Sequence, residues 1–85
     1  MPEVCRFYGI VITLNYNDHA PPHFHARYGG DTAVVTFDGI LLSGWLPPRA
    51  LALVGVWAAT RRAELDADWA RARAQLPLHA IAPID

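Results

Sequence analysis

A double proline, Pro47-Pro48, divides this chain into two halves that obey different folding rules, and no single regular element can run through it. Before it, residues 1–46 are rich in Val, Ile, Thr, Phe and Tyr and are punctuated by Gly9, Gly29, Gly30, Gly39 and Gly44, which is strand and turn punctuation. After it, the chain turns to Ala, Leu, Arg and Glu, a helix-forming composition. The expected fold is α+β: a mostly antiparallel, four- to five-stranded sheet packed by two C-terminal helices. No composition shift, linker or repeat suggests more than a single domain over 1–85, with a strand meander in 1–46, two helices in 47–76 and a tail in 77–85.

Periodicity places the elements. Short strands are expected at Cys5 to Tyr8 and Ile10 to Tyr16, where Ile10, Ile12, Leu14 and Tyr16 share one face. After a loop at Asn17 to Pro22, His23 to Tyr28 turns at Gly29-Gly30 into Thr32 to Phe37, and Asp38-Gly39 signals a turn into Ile40 to Leu46. Prolines suit a helix start, since their missing amides would be unpaired there anyway. Leu51, Val54, Trp57 and Ala58 form a helical stripe that Leu53 and Val56 widen, so the first helix is expected to be buried on most sides. Leu65, Trp69, Ala72 and Leu76 describe an amphipathic second helix ended by Pro77, with Glu64, Asp66 and Asp68 on a solvated face.

At 85 residues the chain has room for one core, burying about 60 to 65% of the surface its unfolded chain exposes. Apolar residues make up 53% and charged residues 18%, which excludes disorder and leaves more apolar surface than one small domain readily buries. A homo-oligomer or a tightly held partner is therefore expected. The net charge of −1 argues against a general nucleic-acid binder, and with no lysine in the chain there is no Schiff-base chemistry. The single Cys5 reads as a small buried apolar residue of a reducing compartment. The start Met-Pro-Glu-Val-Cys-Arg has no secretory pattern, and the apolar run from Ala50 to Ala59 is too short to cross a bilayer, so a cytoplasmic protein without a membrane span is expected.

The chemistry concentrates in residues 15–28, which hold three of the four histidines within seven residues. As a strand, His23 to Tyr28 places His23, His25 and Arg27 on one face and Phe24, Ala26 and Tyr28 on the other, with Asp18 and His19 in the preceding loop able to fold over the imidazoles. Three readings follow. His23 and His25, with His19 or Asp18 as a third ligand, suit a divalent metal of the Zn, Ni or Mn type, as in a metal-dependent hydrolase. Alternatively, His23 and His25 act as an acid/base pair on a phosphodiester, with Arg27 and Arg6 as phosphate clamps and Tyr8 or Tyr16 as orienting groups, in the manner of a ribonuclease. Asn17, Asp18 and Tyr16 are then candidate binding residues. In the third reading Pro21-Pro22 sets a rigid turn and the histidines satisfy loop carbonyls or dock a partner. Ser43 and Cys5 have no nucleophile-elbow context, and the glycines lack phosphate-loop spacing.

The run Arg6-Phe7-Tyr8-Gly9-Ile10-Val11-Ile12, followed by Asn17-Asp18-His19-Ala20-Pro21-Pro22-His23-Phe24-His25, resembles the two signatures of a small bacterial family, domain of unknown function 4160. Leu46-Pro47, Arg49-Ala50-Leu51, Trp57 and Trp69 fit the same pattern. The resemblance implies a small cytoplasmic prokaryotic protein, paired with a second small protein of the domain of unknown function 2442 type in a toxin-antitoxin-like module. No cofactor is established by it, and RNA would be the substrate if this component were the toxin.

Overall fold

The computed structural model describes residues 2–84. Five strands, β1 (Glu3–Phe7), β2 (Ile10–Thr13), β3 (His23–Tyr28), β4 (Asp31–Thr36) and β5 (Leu41–Gly44), form one antiparallel sheet in sequence order. Two helices follow, α1 (Pro48–Thr60) and α2 (Arg62–Arg73), so the protein is α+β. Among the described residues no helix is long and apolar enough to cross a membrane.

The first hairpin closes through Tyr8 and Gly9, both at positive φ (50° and 79°), the backbone that a two-residue turn of matching twist demands. Tyr8 is thereby a turn residue, and β1 ends before it. The expected second strand also ends early. Its register runs from Ile10 opposite Tyr28 to Thr13 opposite His25, and from Asn15 onward the chain leaves the sheet. Leu14 still points inward and is fully buried, its amide bonding Pro2 O at 3.1 Å.

One face of the sheet carries the core. Phe7, Ile10, Ile12, Phe24, Ala26, Ala33 and Val35 are buried there beneath Val54, Trp57, Ala58 and Leu65 of the helices. Trp57 is the hub: its ring lies 5.6 Å from the rings of both Phe7 and Phe24. Its indole Nε1 donates to Ala82 O at 2.9 Å, which satisfies the one polar group that burial would otherwise strand. The tail runs beside β1, where Ile81 is buried and its amide bonds Val4 O at 2.8 Å. One sheet edge is thereby covered. The other, β5, leaves Ile40, Leu41, Leu42 and Trp45 exposed.

The helices differ from expectation in two respects. α1 is amphipathic: Ala50, Val54, Trp57 and Ala58 are buried, but Val56 is 56% exposed because no element packs on its side. α2 stops at Arg73, before Gln75 takes a positive φ (61°), so Leu76 lies past the helix and is exposed. Asp68 departs furthest. It is 1% exposed, because its Oδ1 accepts the backbone amide of His79 at 2.9 Å and ties the tail to α2. Glu64 and Asp66 remain solvated as expected, Asp66 pairing with Arg62 at 3.1 Å.

Gly44 ends β5 at φ 78°, and a Cβ there would run into Thr32 O and approach Ala33 Cα to 2.9 Å. Gly44→Ala is expected to destabilise the protein by more than about 1 kcal/mol, with a lowered urea midpoint as the readout.

Candidate metal centre

β3 builds the site. Ladders on both sides fix its register: His25 lies between Thr13 and Val34, and Phe24 is paired with Val35. Phe24 and Ala26 are fully buried on the core face, so the intervening His23 and His25 stand on the other, partly accessible. Their rings meet edge to face with centroids 5.6 Å apart. Trp69 reaches the same rim from α2, its ring 5.6 Å from His23 and 5.8 Å from Phe37.

The loop between β2 and β3 then folds over the two imidazoles. It contains a cis Ala20-Pro21 peptide and brings Asp18 back onto β3. Asp18 Oδ2 sits 3.1 Å from His23 Nε2 and 3.4 Å from His25 Nε2, and one ligand atom from each residue lies within 4.8 Å of the others. Yet Asp18 Oδ2 is buried and accepts no hydrogen bond of proper geometry.

Proton positions explain that mismatch. His23 Nδ1 lies 2.7 Å from Pro21 O. A carbonyl can only accept, so the proton of a neutral His23 is on Nδ1 and Nε2 presents a lone pair. Asn15 Nδ2, 3.1 Å from His25 Nε2, is a donor and calls for a lone pair there as well. Two imidazole nitrogens and a carboxylate oxygen thus converge at ligand spacing, with the lone pair of His25 held by the Asn15 amide, which a cation at this point would displace. The separations suit one: ligands bound at ~2.0–2.1 Å in a tetrahedral site stand about 3.3 Å apart. The contact from His23 Nδ1 to Pro21 O is of the kind that orients an imidazole whose other nitrogen holds a metal.

The other expected residues are dispersed. His19, Tyr16 and Asn17 do not join the cluster but line an adjoining polar cleft with Asp18, Arg73 and Gln75. Arg27 shares the face of His25 but stands one pleat repeat, about 7 Å, further from the loop. Arg6 is exposed and engaged by Glu3 at 2.9 Å, a pairing whose hydrogen bond also holds the Glu3 carboxyl below its usual range. Tyr8 is 65% exposed at the opposite end of β3, where it lines an apolar cavity of about 510 Å³ with Tyr28 and Arg49.

Asn15 is the participant that sequence reasoning passed over. Only the β2–β3 register, with Thr13 opposite His25, brings it there, and local sequence does not set that register. Asn15 Oδ1, like Asp18 Oδ2 and Asp68 Oδ2, is buried without a hydrogen-bond partner.

Fold and cluster together define a small α+β domain in which the central strand and the loop before it bring two histidines and one carboxylate together. A family model described as a domain of unknown function (DUF4160) matches residues 9–70, and the chain belongs to that family. Neither a curated protein nor a solved structure matches it.

Burial pushes the Cys5 thiol above its usual range, leaving little thiolate at neutral pH. In the folded protein Cys5 is expected to react with a thiol-modifying disulfide reagent at least tenfold more slowly than in urea; equal rates would return it to the list of nucleophiles.

Proposed function

We propose that this is a divalent-metal-binding protein whose ligands are Asp18, His23 and His25, the Asn15 amide capping His25 Nε2 in the metal-free protein. One observation carries the reading: three lone-pair donors meet at ligand spacing, while the buried oxygen of Asp18 has no hydrogen bond. Three protein ligands leave a coordination position open, which is the pattern of catalytic rather than structural sites. A dication there supplies Lewis-acid activation of a water or an ester oxygen, so the matching activity is metal-dependent hydrolysis. Imidazole with carboxylate suits Zn²⁺, Mn²⁺ or Fe²⁺ more than Ca²⁺, which prefers a cage of oxygens. His19 is left outside the ligand set.

The toxin-antitoxin role, with RNA as substrate and a small protein partner, draws its support from the family resemblance. The exposed apolar edge at Ile40, Leu41, Leu42 and Trp45 favours a protein partner or a second copy. If this chain is the toxin, its expression alone slows growth and either His23→Ala or His25→Ala relieves the effect. Unchanged growth arrest in both variants would discard the role.

Calorimetric titration of protein stripped of metal is expected to show near one equivalent of Zn²⁺ or Co²⁺ bound. Asp18→Ala, His23→Ala and His25→Ala should each weaken binding by more than the roughly 10- to 100-fold that loss of an outer-shell partner costs. Wild-type protein that takes up no metal, or alanine variants that match it, would overturn the reading.

A further inference from the structure

Among the described residues, an apolar and a polar cavity differ in chemistry. The larger is an apolar trough at the Tyr8 end, remote from the histidines. The smaller, about 320 Å³, abuts the metal-ligand cluster through their shared residue Asp18 and is lined by Tyr16, Asn17, His19, Arg73 and Gln75. Every lining side chain carries a hydrogen-bonding group.

Its charge is lopsided. Asp18 is the sole acidic residue among those lining it, and its Oδ2 is turned inward to His23 and His25. Arg73 is the fixed cation, at the C-terminal end of α2, where the helix dipole favours positive charge. Arg6, Arg61 and Arg62 are committed to Glu3, Glu64, and Asp38 with Asp66, and Arg71 to Pro77 O. Among the described residues no carboxylate lies within ion-pairing distance of Arg73. The wall it belongs to is held in place, because Gln75 takes a positive φ and its Nε2 donates to Asn17 Oδ1 at 3.2 Å, joining the end of α2 to the Asp18 loop.

A dication on Asp18 would leave the cleft net positive, with the Arg73 guanidinium, the His19 imidazole and the Asn17 and Gln75 amides among its lining groups. We infer that this cleft binds the phosphoryl group of a phosphate ester substrate, with Arg73 as its clamp. A guanidinium presents donors in a fork that matches two phosphate oxygens, and a cleft of this size accepts a phosphoryl group and a small substituent. The inference rests on the metal-binding reading and moves the anion clamp from Arg27 and Arg6, which the sequence suggested, to Arg73.

The test titrates zinc-loaded protein with phenyl phosphate and, separately, with diphenyl phosphate. Wild-type protein is expected to bind at least one of them, and whichever it binds identifies the ester as monoester or diester. Arg73→Ala should weaken that binding at least tenfold, Arg73→Lys should restore part of it, and Arg27→Ala should change it by less than twofold. Zinc affinity, measured in parallel, should be the same in all three variants. Zinc-loaded wild type that binds neither ester, an unaffected Arg73→Ala, or a loss that follows Arg27 instead would each overturn the clamp while leaving the metal site standing. A wild type that fails to take up zinc would overturn the metal reading itself.

Discussion

The register of β3 is the constraint on which the rest depends. It is the middle strand of five, hydrogen-bonded on both sides, and its side chains alternate between a dry face and an accessible one. Slipping it by one residue would push Phe24 and Ala26 into water and force two imidazoles and a guanidinium against Trp57. Burying Phe24 beside Trp57 and Phe37 therefore does more than stabilise the core. It fixes where His23 and His25 point, and makes the site a by-product of packing on the opposite face.

Packing alone would leave two solvated histidines. The loop from Asn15 to Pro22 makes them a site by supplying three things at once: a carbonyl that fixes the His23 tautomer, a carboxylate oxygen facing both Nε2 atoms, and an amide at His25. Burial raises the cost of leaving such groups unpaired, which is why the lone oxygen of Asp18 is informative. The same loop forms one wall of the polar cleft, whose other wall comes from the end of α2. Asp18 thus belongs to both, and in our proposal the cation and the substrate anion meet across it.

Much of the fold was legible because it is local. Alternation in residues 23–28, glycine at the turns and the double proline before α1 each act within a few residues, and strand order follows when every connection is a hairpin. The failures are long-range. Nothing near Val56 shows that its side of α1 goes uncovered, and nothing near Asp68 shows that the amide of His79 will return to it. The candidate site divides in the same way. His23 and His25 are visible from strand period, and Asp18 from its nearness in the chain. Asn15 needed the β2–β3 register, and Arg73 is separated along the chain from the loop it faces by three strands and two helices.

Observing the imidazole nitrogens directly tests the central claim, that two histidine lone pairs and one carboxylate oxygen meet to hold a cation. In two-dimensional ¹⁵N spectra that correlate ring nitrogens with ring protons, metal-free protein should show His23 protonated on Nδ1 with a bare Nε2. Added Zn²⁺ should then shift Nε2 of His23 and of His25 together, leaving His19 and His79 in place. A His23 protonated on Nε2 alone, or rings that ignore the metal, would contradict the account.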